Sequence, residues 1–219
     1  RLDVGEYDPP HEPDWENLPH VQSDFGRATE TPVDLRRGWT REAVLAEMRD
    51  ALAKRDAALR SGPQDADTEA MNFFGPSTIG KIVRMRTFDT WAHEQDIREA
   101  IHSPGHLDSP GARATAAQLL SGLPMVWGKR AGAPPGESLR LLITGPDMLA
   151  DVCVLVGEDG RARFTPEEDA ATVVLEMPWA TYLTLACGRG SLSELRDTIN
   201  VSGDVQRAES VLAGFTIAI

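Results

Sequence analysis

A glycine- and proline-rich stretch, Gly-Lys-Arg-Ala-Gly-Ala-Pro-Pro-Gly at residues 128–136, separates two parts of the chain that differ in hydrophobic periodicity. Such a stretch does not continue a helix, and segments of this composition often join domains. Before it, apolar residues recur at helical spacing, and after it they alternate as in strands. The pattern predicts an α+β protein with a helical domain at residues 1–130 and a smaller α+β domain at residues 137–219.

Four amphipathic helices are predicted in the first part. The first, within residues 15–37, is expected to end before Pro32, and Thr40 is the expected N-cap of the second. Residues 61–76 are rich in Gly, Pro, Asp and Ser and predict a loop with an aromatic anchor at Phe73 and Phe74. The third helix is predicted from about residue 77 to 101 and the fourth from about 110 to 127. Four such helices favour a bundle, in which sites are built from inward side chains of facing helices.

The second part alternates between strand and helix signals. Strands are predicted at residues 139–143 and 152–156, followed by a hairpin through Gly157-Glu158-Asp159-Gly160 into residues 161–164. A further strand at 172–177 leads into a helix that begins at Pro178 and ends before Gly188. A short strand at 199–201 and a helix at 204–215 complete this part.

Composition restricts the partners of the chain. The 219 residues include 34 acidic and 22 basic ones, and the net charge of −12 repels nucleic acid and anionic lipid surfaces. The two cysteines form no CxxC pair, which fits a reducing cytoplasm. No apolar run approaches the ~20 residues of a membrane span. The sequence therefore predicts a cytoplasmic protein without nucleic-acid or membrane partners. Its Pro-rich, charged beginning at Arg1 favours a segment of a longer polypeptide.

The third predicted helix carries the candidate metal ligands. Asp89, His93 and Asp96 lie at i, i+4 and i+7 on one stripe, which continues the apolar positions Ile82 and Met85 and is therefore expected to be buried. A carboxylate and an imidazole at i, i+4 are close enough to bind one cation, and zinc accepts such a mixed set. A catalytic zinc needs a third protein ligand as well. The alternative is a buried histidine that donates a hydrogen bond to Asp89 without any metal.

Three neighbouring side chains have alternative interpretations. Asp96 either orients a ligand from behind or pairs with Arg98 on the surface. Arg84 and Arg86 flank the stripe and could receive an anionic substrate, although surface arginines usually form ion pairs.

The remaining reactive residue types give weaker signals. His11, His20, His102 and His106 lie in or beside predicted loops, where we expect them to be solvated. Cys153 lies in a predicted strand that is apolar on both faces, and Cys187 lies at a helix end without an adjacent basic residue or histidine, so both are expected to be structural. Gly188-Arg189-Gly190 superficially resembles a phosphate-binding loop, but it follows a helix instead of opening one.

Residues 86–98, Arg-Thr-Phe-Asp-Thr-Trp-Ala-His-Glu-Gln-Asp-Ile-Arg, resemble the signature helix of the mycothiol-dependent maleylpyruvate isomerase family. The first domain of that family is a DinB-like four-helix bundle. The similarity extends to His-Val-Gln-Ser-Asp-Phe-Gly-Arg at residues 20–27 and to Gly-Lys-Arg after the fourth helix. The second half resembles the sterol-carrier-like C-terminal domain of the family, an α/β sandwich.

The resemblance implies a metal site and a thiol cofactor. In the family a divalent metal, typically zinc, is held by a histidine from an early helix and by a Glu-x-x-x-His pair. Asp89 and His93 occupy the positions of that pair, with aspartate in place of the usual glutamate. By analogy the first histidine lies upstream of Arg1, since His20 aligns with a position that is not a ligand. Asp96, or an unassigned residue of the C-terminal domain, is expected to orient the ligands or to anchor a carboxylate substrate, and Arg86 is the other neighbour expected beside the ligands.

The function implied is that of a metal- and mycothiol-dependent isomerase or S-transferase. The thiolate of mycothiol would add to a small electrophilic substrate such as an activated alkene, and then leave again or be retained. Two alternatives are a non-catalytic small-molecule binding or regulatory module that has lost its metal, and lipid carriage by the second half.

Overall fold

The computed structural model describes residues 8–72, 75–166 and 171–217. The chain divides into two compact units, residues 1–69 and residues 70–219, which we call unit 1 and unit 2. The predicted α+β fold, with a helical first half and a sheet-containing second half, is confirmed. The predicted boundary between a helical domain and an α+β domain, at residues 130–137, stays a prediction.

Unit 1 contains two helices, α1 (Asp24–Arg36) and α2 (Arg41–Ser61). Thr40 caps α2 as predicted, since its hydroxyl accepts a hydrogen bond from the amide of Ala43 at 3.2 Å. The expected end before Pro32 is wrong, because Pro32 lies inside α1. An interior proline costs about 3 kcal/mol. The turn after it is held by Arg36, whose guanidinium donates to the Pro32 carbonyl at 2.8 Å and pairs with two carboxylates.

Unit 2 begins with two short strands, β1 (Glu69–Asn72, whose first residue is the last of unit 1) and β2 (Gly75–Thr78), which form a two-stranded sheet. The loop predicted at residues 61–76 is therefore wrong for this part, and Phe73 and Phe74 lie outside the described residues. Helices α3 (Ile79–Ala100) and α4 (Pro110–Leu120) follow within the predicted bounds. Thr78 caps α3 and Ser109 caps α4, each through its side-chain oxygen.

A short helix α5 (Leu123–Met125) and a π-helical turn at Val126–Arg130 connect α4 to the sheet. The prediction that residues 128–130 cannot continue a helix is wrong, since Gly128, Lys129 and Arg130 lie in this turn. A Cβ at Gly128 would lie 2.7 Å from the Cβ of Ala162, so the glycine allows the turn to approach the sheet closely.

The main sheet has the strand order β5-β4-β3-β6-β7. Its strands are β3 (Ser138–Thr144), β4 (Ala150–Val156), β5 (Ala162–Thr165), β6 (Val173–Pro178) and β7 (Asn200–Gly203). β3 pairs antiparallel with β4 and parallel with β6. Helices α6 (Trp179–Ala186), α7 (Leu192–Leu195) and α8 (Val205–Ala213) fill the connections and the C-terminal end. All the predicted strands of the second half are present.

One core joins the sheet to α4 and to part of α3. Leu139, Leu141 and Ile143 of β3 alternate with less buried residues and are at most 2% exposed. Trp91 of α3 belongs to the same cluster of buried residues, together with Ala112, Ala116 and Leu119 of α4. Its ring lies 6.2 Å from that of Trp179, centroid to centroid. The described residues contain no helix with the length and hydropathy of a membrane span.

Candidate functional site

The stripe that carries Asp89, His93 and Asp96 lies on the exposed side of α3. The buried residues of this helix are Trp91 and Ala92, which occupy another face. The side chains of Asp89 and His93 are 45% and 65% exposed. The expectation of a buried stripe is therefore wrong, because the face that packs into the core is set by Trp91 rather than by Ile82 and Met85.

His93 lies between two carboxylates. Its Nδ1 is 3.1 Å from Oδ2 of Asp96, which is hydrogen-bond distance, and its Nε2 is 3.7 Å from Oδ1 of Asp89. The alternative in which a buried His93 donates to Asp89 is thus not what the structure shows. The ring is exposed, and its hydrogen bond goes to Asp96.

Asp96 is bound by an arginine from the second half of the chain. Arg189 donates from Nε to Oδ1 at 2.7 Å and from Nη2 to Oδ2 at 2.8 Å, which is a bidentate ion pair. These hydrogen bonds from Arg189 lower the pKa of the Asp96 carboxyl, and the pairing raises the pKa of Arg189. Asp96 is therefore ionised near neutral pH. The suggested pairing of Asp96 with Arg98 is wrong, because Arg98 binds Glu94 at 2.7 Å.

Sequence reasoning missed Arg189. The residue lies directly after Gly188, which has a φ of +64° and ends the turn after α6. Its side chain is also anchored locally, since Nη1 donates to the Cys187 carbonyl at 2.8 Å. The one available signal was a basic residue between two glycines, which indicates a tight turn but does not indicate which element the arginine contacts.

Arg86 is the other side chain beside the pair. Its Nη1 lies 3.4 Å from Oδ2 of Asp89, one helical turn away on α3. Arg84 is exposed. Of the two arginines proposed to receive an anionic substrate, Arg86 is thus the one in contact with a candidate metal ligand.

The histidines expected to be solvated have varied surroundings. His11 lies 2.7 Å from Asp34, and His106 lies 2.7 Å from Glu94. His102 and His106 both have positive φ, 53° and 61°. The partner of His11 belongs to unit 1, and the partner of His106 belongs to α3.

The expectation that both cysteines are structural stays a prediction, which their burial supports. Cys153 and Cys187 are both buried. Burial raises the pKa of the Cys187 thiol, which disfavours the reactive thiolate. The arrangement provides no nucleophilic protein thiol at these two positions.

Asp89 and His93 fit a metal site as a two-ligand fragment. Carboxylate oxygen and imidazole nitrogen are ligands that zinc accepts, and the pair faces solvent. Asp96 is a poor third ligand because both of its oxygens accept hydrogen bonds from Arg189. Among the described residues, no group of three or more His, Cys, Asp or Glu side chains is placed to hold a metal. The described residues by themselves thus do not form a complete zinc site.

Solved structures with partial similarity to the C-terminal part include sterol carrier proteins. Sterol Carrier Protein 2 Like 2 from Aedes aegypti is 12% identical, covers 47% of this chain and 97% of its own, and has a TM-score of 0.38. Sterol Carrier Protein 2 from Yarrowia lipolytica is 13% identical, with coverages of 47% and 91% and a TM-score of 0.33. No curated protein matches the chain.

A family model gives the more specific result. The model described as the mycothiol maleylpyruvate isomerase N-terminal domain matches residues 8–98. The match includes α1, α2 and most of α3, and it ends two residues after Asp96. Both members of the Asp89–His93 pair are inside it. Residues 8–98 of this chain are therefore similar to the mycothiol maleylpyruvate isomerase N-terminal domain family.

Proposed function

We propose that the chain is an isomerase or S-transferase that depends on a divalent metal, zinc in the first place, and on a low-molecular-weight thiol, mycothiol. Its substrate would be a small electrophile. The observation that carries the proposal is the solvent-facing Asp89–His93 pair, which lies inside the domain that the family model matches.

Asp89 and His93 would hold the metal. Their facing atoms, Oδ1 and Nε2, are 3.7 Å apart, and both side chains are open to solvent, so a thiol and its substrate can reach them from outside. A divalent metal bound there would lower the pKa of a coordinated thiol. A further ligand is required for a complete zinc site, and the family resemblance assigns it to a histidine of an earlier helix.

The neighbouring side chains would orient the pair. Arg86 contacts Asp89 at 3.4 Å and limits where its carboxylate can lie. Its positive charge also favours a carboxylate-bearing substrate near the pair. With the thiolate in place, addition of its sulfur to an activated alkene, rotation about the resulting single bond and loss of the thiol would give the isomer.

Metal content is the test. We expect the protein purified without chelator to contain nearly one equivalent of zinc or another divalent metal, measured by elemental analysis. Asp89→Asn and His93→Asn should each remove it, because each deletes one of the ligands. Consumption of mycothiol together with small electrophiles would then be screened on the wild-type protein.

Two matched substitutions serve as controls. Asp50→Asn changes an aspartate of α2 that is paired with Lys54 and is 60% exposed, and His102→Asn changes a histidine at a position of positive φ that asparagine tolerates. Both should retain the metal. A folded wild-type protein that contains no metal, or equal metal in all four variants, would overturn the proposal and leave a non-catalytic small-molecule binding module.

A further inference from the structure

Arg189 is fixed at its own end before it reaches α3. Its backbone amide donates to the Thr184 carbonyl at 2.9 Å, and its Nη1 donates to the Cys187 carbonyl at 2.8 Å. Both acceptors belong to the C-terminal end of α6, whose residues are largely buried. The guanidinium group is thus held by the second half of the chain, with Nε and Nη2 left to bind another group.

That other group is Asp96, on α3. Because the two oxygens of Asp96 accept from Nε and Nη2 of Arg189, the plane of the carboxylate is set by the plane of the guanidinium. An aspartate side chain on an exposed helix face would otherwise sample several rotamers. The arginine therefore decides where the Asp96 oxygens lie.

The third contact of Asp96 determines the tautomer of His93. Both oxygens of Asp96 accept hydrogen bonds from Arg189, so in the 3.1 Å contact between Oδ2 and Nδ1 the histidine is the donor. A neutral ring with its hydrogen on Nδ1 carries the lone pair on Nε2. Nε2 is the nitrogen that lies on the side of Asp89.

We infer that Arg189 is a positioning residue, which fixes Asp96 so that Asp96 holds His93 in the Nδ1–H tautomer with the Nε2 lone pair directed to the side of Asp89. The purpose of this arrangement, a ready metal ligand, rests on the proposed function. The arrangement itself does not. It also keeps Asp96 occupied, so that Asp89 is the carboxylate available to a cation.

The inference gives the second half of the chain a part in the site. Asp96 and Arg189 are 93 residues apart in sequence. Carboxylate–histidine pairs of this kind commonly orient metal-binding histidines, and loss of such a partner typically weakens metal affinity about 10- to 100-fold. In this chain the carboxylate, Asp96, is itself bound by Arg189, so Arg189 acts on His93 only through Asp96.

The test reads the tautomer of His93 in metal-free protein. Two-bond and three-bond ¹H–¹⁵N correlation spectra of the imidazole rings, recorded in alkaline solution with a chelator present, distinguish the Nδ1–H from the Nε2–H form. The signals of His93 are identified by their loss in His93→Asn. We expect the Nδ1–H form to dominate in the wild type and to fall below half in both Asp96→Asn and Arg189→Met.

The matched control is Arg140→Met. Arg140 forms a bidentate ion pair with Asp151 at 2.9 and 2.6 Å, which links β3 and β4 away from α3. This variant should give the wild-type spectrum of His93. Arg189→Lys, which keeps the charge but not the fork, should give an intermediate tautomer population and covers the case in which Arg189→Met does not fold. A dominant Nε2–H form in the wild type, or an unchanged tautomer in Arg189→Met, would overturn the inference.

Metal affinity separates this inference from the proposed function. Zinc dissociation constants, measured by competition with a chromophoric chelator, should rise about 10- to 100-fold in Arg189→Met and stay unchanged in Arg140→Met. Wild-type protein with the expected tautomer but no zinc binding overturns the proposed function alone. Wild-type zinc binding with the same affinity and tautomer in Arg189→Met overturns the inference alone.

Discussion

Unit 1 and unit 2 differ in what holds their helices in place. In unit 1 neither α1 nor α2 has a fully buried residue, and the apolar face of α2 is exposed, with Met48 at 52% and Leu52 at 51%. Its described tertiary contacts include charged pairs such as Arg36 with Asp8 and Glu47. Unit 2 is built around a cluster of apolar side chains that are nearly inaccessible to water.

This difference predicts which kind of substitution destabilises each unit. The stabilisation from buried apolar surface is insensitive to moderate salt and to pH. Exposed or half-buried ion pairs weaken as salt is added, and they are lost when a change of pH neutralises one partner. Unit 1 should therefore respond to charge changes and unit 2 to changes in side-chain volume. Three substitutions measure that contrast.

The largest effect is expected for Leu141→Ala in unit 2. Leu141 is 0% exposed in the central strand β3, and deletion of a buried leucine side chain typically costs about 2–5 kcal/mol in the free energy of unfolding. Urea denaturation would measure the loss. Leu149→Ala is the control, because Leu149 is 76% exposed and its truncation should change stability by less than about 0.5 kcal/mol. Equal effects of the two would mean that the sheet face is not a core.

A smaller and more local effect is expected for Arg36→Met in unit 1. The Arg36 side chain is 17% exposed and binds both Asp8 and Glu47, so its removal leaves two half-buried carboxylates without this partner. We expect a loss of about 1–3 kcal/mol in the local stability of α1 and α2. Amide hydrogen exchange would detect faster exchange in these helices and unchanged protection in the strands of unit 2.

Arg60→Met is the matched control for that change. Arg60 pairs with Asp56 on the same helix, but its side chain is 77% exposed. Exposed pairs of this kind contribute about 0.3–0.5 kcal/mol, so exchange rates should hardly change. Protection lost to the same degree in both variants would contradict the idea that the Arg36 pairs hold unit 1.

The smallest effect is expected from the pH dependence of Asp34. A hydrogen bond from His11 is the main cause that lowers the pKa of this carboxyl from its ordinary value of 3.8. A lowered pKa in the folded state stabilises the fold above the ordinary value, and the contribution disappears as the pH falls through the lowered one. Asp34→Asn should therefore slightly destabilise unit 1 near neutral pH, and this effect should disappear as the pH falls through the lowered pKa. A difference that persists in acid would assign the effect to something other than ionisation.

Much of the fold could be predicted because its signals are local. Thr40 and Thr78 precede helical periodicity and are N-caps in the structure, and the alternation in residues 139–143 predicts β3. Pro32 was misjudged because the contacts that keep α1 intact come from Asp8 and Glu47, which no local pattern reveals. Most helix and strand bounds are thus determined by residues close in sequence, whereas an exception such as the helical turn after Pro32 depends on residues distant in sequence.

The candidate site was predictable only along its own helix. The spacing of Asp89 and His93 correctly predicts that the two side chains lie on one face of α3. That face was expected to be buried but is exposed, because helical periodicity does not say which of two faces is covered. Arg189 could not have been found, because its contact with Asp96 depends on how α3 packs beside the end of α6. Contacts across such sequence distances are properties of tertiary packing alone.

The bidentate ion pair between Arg189 and Asp96 can form only late in the synthesis of the chain, because the two residues are 93 positions apart. A nascent chain presents Asp89 and His93 well before residue 189 leaves the ribosome, and Trp91 likewise waits for the sheet residues with which it shares a core. Until then the imidazole is free to adopt either tautomer. The ion pair thus forms only after residue 189 has been synthesised, and a chain that ends before it would leave Asp96 and His93 without this constraint.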